Sequence, residues 1–135
     1  MENRYLFKAK RIKDGQWVEG YIVYSFTGVP FIITEYDHIL ALVARDEVDP
    51  ETICQCTGLK DKNDNLIWEN NIVRDKHGNF YKAFWQNNYY QFSWICVKSD
   101  VFPIGSKWDL WSFKSFEIEV IGNIFDNPEL LESEE

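Results

Sequence analysis

The 135-residue chain has no apolar run of about 18 residues, and it opens Met1-Glu2-Asn3-Arg4 with no apolar stretch behind it, so neither a helical membrane span nor a secretory signal is expected. One Met and no long stretch of Ala, Leu, Glu and Lys argue against long helices. Cysteine is scarce and odd in number: Cys54, Cys56 and Cys96 are expected to stay reduced thiols in the cytoplasm. Histidine is scarcer, with His38 and His77 alone, and neither lies in a nucleophile motif such as G-x-S-x-G. No G-x-x-x-x-G-K-[ST] and no G-x-G-x-x-G is present, which excludes nucleotide binding by those routes. Internal repeats and low-complexity linkers are also missing.

What the chain has in quantity is aromatic residues, at 17%: 6 Trp, 7 Tyr and 10 Phe. Rings and β-branched side chains pack well on a pleated face, so the composition favours β structure. At this length folding buries roughly two-thirds of the unfolded surface, enough for a core without disulfides or metal. The net charge of −8 is uneven. Glu117 to Glu135 holds seven acids and no base, leaving the first 116 residues with 14 bases against 15 acids. Arg4, Lys8, Lys10, Arg11 and Lys13 make the N-terminal strand locally basic, which reads as a solvated edge protected from aggregation. A phosphate-binding arm would need a second basic cluster.

Turn residues divide the chain. Tyr5–Ile12 and Trp17–Tyr24 read as a hairpin around Lys13-Asp14-Gly15. A break at Phe26–Pro30 precedes the apolar run Phe31-Ile32-Ile33, and Ile39–Val43 reads equally as a buried strand or one helical turn. Asp49-Pro50-Glu51-Thr52 signals one capped turn. Further strands are expected at Ile53–Leu59, Leu66–Trp68, Ile72–Arg74, Phe80–Trp85, Tyr89–Val97 and Glu117–Phe125. Asn127-Pro128-Glu129-Leu130-Leu131 reads as a terminal helical turn with Asn127 as its cap, and Glu132–Glu135 as a fraying end. Short polar turns and a last strand that returns to close the sheet describe a small antiparallel barrel.

Two blocks carry a family resemblance. Cys56-Thr57-Gly58-Leu59-Lys60-Asp61-Lys62-Asn63-Asp64-Asn65-Leu66-Ile67-Trp68-Glu69-Asn70-Asn71-Ile72-Val73, together with Glu119-Val120-Ile121-Gly122-Asn123-Ile124-Phe125-Asp126-Asn127-Pro128-Glu129-Leu130-Leu131, resembles the YopX-like proteins of bacterial phages and prophages. The family's central block usually reads T-G-L-K-D-K-N-G-K-x-I-Y-E-G-D-I-V. Here Asp64 and Asn70 stand at glycine positions, and both residue types tolerate positive φ, so the turns are expected to persist. Asn71 stands where aspartate is usual, which removes a charged ligand or base from that position. The resemblance implies no particular activity. It does imply a cytoplasmic location in a bacterial host and an SH3-like barrel over residues 54–126, after a β-rich part at 1–53 and before a helical turn and acidic tail at 127–135. The stretch from Arg74 to Glu117 is unlike any motif.

No catalytic residue, metal site or cofactor emerges from these residues. Acidic pairs such as Asp61 with Asp64 and Glu117 with Glu119 read as solvated turn and strand residues. Thr57, Gly58, Leu59, Lys60, Asp61, Asn63, Trp68, Glu69, Ile72, Val73, Gly122, Asn123, Asn127 and Pro128 read as a folding motif, because most are apolar or turn-forming. The candidate binding surface is aromatic: Trp85, Tyr89 and Tyr90, with Lys82 and Lys98 beside them. Tyr90, Phe92 and Trp94 are expected on one face of a strand, Gln91 and Ser93 on the other. Such rings serve protein contacts, including self-association and an unknown phage or host partner. Single-stranded nucleic acid is the alternative, disfavoured by the near-neutral body, since binders of single strands combine stacking rings with a positive groove.

Cys54 and Cys56 are two apart, so on a strand both point to one face, where two thiolates could begin a zinc site but a C-x-C with no second pair is a weak signal. A structural site takes four ligands, and only Cys96, His38 and His77 remain as further donors. Protein purified without chelator is therefore expected to carry no zinc. One equivalent of zinc per chain by elemental analysis would overturn this.

Overall fold

A computed structural model of the chain describes residues 3–37 and 42–131. His38, the expected stretch at Ile39–Val43 up to residue 41, and Glu132–Glu135 lie outside the described residues. The described residues are mainly β, with no α-helix and five 3-10 turns. The strands are β1 (Phe7–Lys10), β2 (Trp17–Tyr24), β3 (Pro30–Asp37), β4 (Leu42–Glu47), β5 (Cys54–Lys60), β6 (Leu66–Trp68), β7 (Asn71–Asp75), β8 (Phe80–Gln86), β9 (Gln91–Lys98), β10 (Lys107–Asp109) and β11 (Ile118–Asn123). They fall in two compact units, Met1–Cys56 and Thr57–Glu135.

In the first unit the antiparallel order is β4-β3-β2-β1-β5. Ala9, Ile32 and Val48 form its buried centre, with Phe7, Val18, Ile22 and Ile53 packed on them. The Asp49 carboxylate accepts the Glu51 amide at 3.0 Å and starts the 3-10 turn Pro50–Thr52, as a cap followed by proline should. In the second unit β6 lies beside β5, and a five-stranded antiparallel sheet has the order β10-β9-β8-β7-β11. Ile67, Val73, Tyr81, Ala83, Trp94, Cys96 and Ile118 are its buried core. The Trp94 indole N–H reaches the Leu110 carbonyl at 3.1 Å, so its one polar atom is satisfied. No ladder joins β10 to β11 among the described residues, and the sheet is open. The expectation of barrel closure is corrected accordingly, while the mainly β class and the antiparallel pairing stand.

One turn geometry recurs in three hairpins, at Ser25–Val29, Asp61–Asn65 and Asp75–Asn79. In each, the first and fifth residues are paired by a backbone bond, the fourth donates back to the first, and that fourth residue has positive φ. This is the three-residue loop in which a left-handed position follows a type I turn. Gly28 and Gly78 fill that position in two hairpins, and Asp64 at φ 67° fills it in the third. Asn70 likewise takes φ 71°. Both replacements of glycine thus keep their turns.

The longest departure from the sequence reading lies at 86–117. Strand β9 begins at Gln91 rather than Tyr89, because Tyr90 itself takes φ 52° in the turn. Strand β10 and the 3-10 turns Leu110–Ser112 and Ser115–Glu117 carry no period long enough to read in sequence. Asn127 is also corrected: its side-chain oxygen accepts the Asn123 amide at 3.2 Å, facing back along the chain instead of capping the turn Pro128–Leu131.

Trp68 is buried, and its amide is held by the Asn71 side-chain oxygen at 2.8 Å. Trp68→Ala is expected to lower the unfolding free energy by ~3–5 kcal/mol, as for other large aromatic truncations in packed interiors. Chemical denaturation measures it. A loss below about 1 kcal/mol would mean that the side chain is not part of the packing that holds the fold.

Candidate functional site

The turns at Asp61 and Asp75 are chemically alike. Both read Asp-Lys-x-x-Asn, in both the first carboxylate accepts the amides two and four residues on, and in both it also accepts the side-chain amide of the closing asparagine. They differ in the fourth donor. Asp61 Oδ2 takes the Val120 amide at 2.8 Å, from the outer edge of β11, and the Lys62 amide reaches the Ile118 carbonyl at 3.0 Å. Asp75 Oδ2 takes the Tyr81 hydroxyl at 2.9 Å.

Asp61 is 3% exposed, which overturns its reading as a solvated turn residue. Burial pushes its carboxyl up, but the amides of Val120, Asn65 and Asn63 together outweigh that and hold it below its ordinary value. Asp75 is treated the same way: burial raises it, and donors from Asn79, Tyr81 and His77 bring it below the ordinary value. Burial and the bond to Asp75 push the Tyr81 hydroxyl far up. A carboxyl held low and a phenol held high are both poorly matched to proton transfer near neutral pH.

Beyond Asp75 opens a cleft of about 430 Å³. It is lined by Asp75, Lys76, His77 and Asn79 of the turn, by Tyr81 of β8, and by Val101, Phe102, Phe113 and Glu117 from the stretch before β11. Its rings are interlocked. Tyr81 meets Phe113 at 4.8 Å and Trp108 at 5.3 Å, edge-on in the latter case, and Trp108 in turn meets Phe102 at 5.1 Å. Ser99 ties the loop to the turn: its hydroxyl donates to Asn79 Oδ1 at 2.7 Å while its oxygen accepts the amides of Val101 and Phe102. None of Asp75, Asn79, Phe102 or Phe113 was marked by the sequence. The usable signal was the five-residue repeat, Asp61-Lys62-Asn63-Asp64-Asn65 against Asp75-Lys76-His77-Gly78-Asn79.

The residues singled out as a folding motif occupy structural positions. The Thr57 hydroxyl donates to the Ile67 carbonyl at 2.7 Å, Gly58 takes φ 87°, and Leu59 packs on the core. Lys60 pairs with Asp64 at 3.4 Å, and the Asn63 amide feeds Asp61. Glu69 sits half-buried in the turn between β6 and β7, and Ile72 and Val73 are fully buried on β7. Asn123 Oδ1 accepts the amides of Phe125 and Asp126, and Pro128 opens the last 3-10 turn. A Cβ on Gly122 would lie 2.5 Å from Asn127 Oδ1, so this glycine makes room for the Asn123–Asn127 lock.

The candidate binding residues do not form one patch. Tyr89 and Tyr90 are exposed in the β8–β9 turn, and Trp85, 41% exposed, packs edge-on against Phe92 at 5.2 Å. Lys82 is three residues from Trp85 on β8 and so faces the opposite side. Lys98 places its ammonium over the Phe80 ring, 5.1 Å from the centroid. On the face with Gln91 and Ser93, these two bond with Gln86 and Asp109 in a closed polar cluster.

A family model described as YopX protein matches residues 8–132, nearly the whole chain. The chain belongs to the YopX family. Among curated proteins, none matches it. For this YopX chain the two family blocks map onto the frame around Asp61 and Asn123, and the motif-free stretch supplies every residue lining the cleft. Asn71 shows what the usual aspartate's position does here: its neutral amide oxygen holds the Trp68 amide, a task that needs an acceptor and no charge. Cys54, Cys56 and Cys96 are all buried, and burial pushes the Cys96 thiol up, toward an inert protonated form. Among the described residues no three His, Cys, Asp or Glu side chains gather as metal ligands, and no helix is long and apolar enough to cross a membrane. The basic N-terminal strand is internally engaged: Lys8 and Lys10 lie over the Trp17 ring, Arg11 pairs with Asp14 and Asp46, and Lys13 with Asp46.

Because Asp61 is lowered in the folded chain, its ionisation stabilises the fold above the ordinary carboxyl pKa of 3.8, and that stabilisation is lost as pH falls through the folded value. Asp61→Asn places an N–H₂ against amides that need an acceptor. It is expected to cost ~1–3 kcal/mol at pH 7. The gap to the parent should narrow below about pH 4 as the parent's own carboxylate protonates. Urea titrations of both proteins between neutral and acid pH check this; a constant gap would contradict the assigned role of the charge.

Proposed function

We propose that this YopX-family chain is a non-enzymatic accessory protein, encoded by a phage or prophage and working in the cytoplasm of its bacterial host, that acts through protein contacts including its own oligomer. The observation that carries the reading is the exposed apolar surface of the 101–116 segment. Trp111 is 78% exposed and Phe116 73%, with Val101 and Ile104 also largely in solvent beside the ring-lined cleft. Large rings left in water on a small domain mark contact surfaces. Aromatic anchors contribute most of the energy in such interfaces.

The strand order β10-β9-β8-β7-β11, with 3-10 turns between β10 and β11, supports reading the second unit as SH3-like in topology. Proton-transfer chemistry has little support from the hydrogen-bonded pair at the cleft, since Asp75 is held below its ordinary value and Tyr81 is pushed far above its own. Single-stranded nucleic acid has less support than protein, because Lys82 and Trp85 face opposite sides of β8 and the N-terminal cations already have partners.

Closed homo-oligomers are the common outcome for exposed apolar surface, with a dimer the simplest. The chain is expected to sediment as a dimer at micromolar concentration. Trp111→Ser with Phe116→Ser should shift it toward the monomer of 16.1 kDa while leaving that monomer folded, since both rings are exposed. A parent protein that stays monomeric over about a hundredfold concentration range removes self-association. If the double variant also recovers the same proteins as its parent from infected cells, this surface is not the contact site.

A further inference from the structure

Resting on the reading of the second unit as a protein-contact module, we propose that the Asp75–Phe113 cleft receives the ammonium-bearing side chain of a lysine from an extended segment of a protein partner. The walls are apolar and aromatic, with Tyr81, Phe102, Phe113 and Val101 lining them. A purely apolar occupant would suit those walls, but it would not suit the two carboxylates among them. Asp75 takes its hydrogen bonds from four neutral donors: the amides of His77 and Asn79, the Asn79 side-chain amide and the Tyr81 hydroxyl. Among the described residues no cation lies in salt-bridge range of Asp75 or Glu117. Glu119, two residues beyond Glu117, is by contrast held by Lys62 at 3.0 Å and Arg74 at 2.9 Å.

The ionisable groups that line the cleft are Asp75, Glu117, Tyr81, Lys76 and His77. Two carboxylates, Asp75 and Glu117, face the one lysine ammonium of Lys76, so their formal balance is negative in a chain already at −8. Ring faces carry negative potential and attract cations, more strongly where water is thinned. A hydrocarbon stem ending in a positive charge fits this surface: the stem lies on the rings and the head meets the acids.

Lysine is favoured over arginine by the hydrogen-bond arithmetic. A guanidinium fork needs two acceptor positions on one carboxylate. Both oxygens of Asp75 already accept two bonds each, and Glu117 Oε1 accepts the Lys114 amide at 2.9 Å. What is left is a field from Asp75 and the second oxygen of Glu117. A compact ammonium uses both.

The test is an amide-shift titration of the isotopically labelled full chain with three capped peptides, Ala-Ala-X-Ala-Ala, where X is lysine, norleucine or glutamate. The lysine peptide is expected to give saturable shifts at His77, Asn79, Phe102, Phe113 and Glu117. The norleucine peptide should bind at least about tenfold more weakly, and the glutamate peptide weaker still. Raising the salt should weaken the lysine peptide alone. Glu117→Gln, which keeps an acceptor for the Lys114 amide, should reduce lysine affinity severalfold and leave norleucine unchanged. Equal affinity for lysine and norleucine overturns the cation site and leaves a contact surface of apolar character. No shift with any peptide up to about 10 mM overturns the site too; the contact-module reading is then decided separately by sedimentation of the Trp111 and Phe116 variants.

Discussion

The second unit depends on one buried carboxylate. Asp61 is shut away from water and accepts its own turn's amides, the Asn65 side chain and the backbone of Val120, 59 residues further on. Its partner bond, from Lys62 to the Ile118 carbonyl, covers the same outer edge of β11. An edge strand with unpaired amides invites pairing with another chain. Here a turn occupies that edge, while the other edge of β11 pairs with β7, from Ile118 opposite Asp75 to Asn123 opposite Asn71. The seat of β11 in turn fixes Gly122 and Asn123, and through them the Asn127 lock. One charged side chain thus connects two segments 59 residues apart in sequence.

The Asp75 turn repeats the local geometry with a different consequence. Where Asp61 closes on a backbone amide, Asp75 closes on a phenol hydroxyl, and the Tyr81 ring that carries this hydroxyl stacks into the Phe113 and Trp108 cluster. The same Asp-Lys-x-x-Asn turn builds a seam in one place and the wall of an open cleft in the other. The difference lies in what faces the second carboxylate oxygen, a partner that the five-residue motif does not contain.

Much of the fold was legible because its signals are local. Strand β2 falls at Trp17–Tyr24 as its pattern indicates, and the turns at Gly15, Gly28 and Gly78 follow from residues that accept positive φ. The 3-10 turns at Pro50 and Pro128 follow from a proline behind a polar residue. What failed to read is tertiary. Asp61 looks like any polar turn residue until Val120 is brought to it, and Asn127 looks like a cap until Asn123 competes for its oxygen. Tyr90 has a strand-forming side chain, yet the two-stranded turn needs its φ positive. Within 99–117, three-residue elements give neither period enough to read, and the exposed rings there resemble core residues in composition.

That division separates a frame from a surface. The family blocks, 56–73 and 119–131, hold the groups that satisfy backbone polar atoms: Thr57 donates to a carbonyl, while Asp61, Asn71, Asn123 and Asn127 accept from amides. Each of these bonds loses a stabilising partner if its side chain changes, so the frame tolerates little substitution. The 99–117 stretch runs between β9 and β11 and is held by the β9–β10 ladder, the Ser99 hydroxyl, the Trp108 and Phe113 rings and the Trp94-to-Leu110 bond. Its other large side chains, Val101, Ile104, Trp111 and Phe116, stand in water and stabilise nothing within the chain that their removal would cost. A surface built this way can change its side chains without disturbing the fold beneath it.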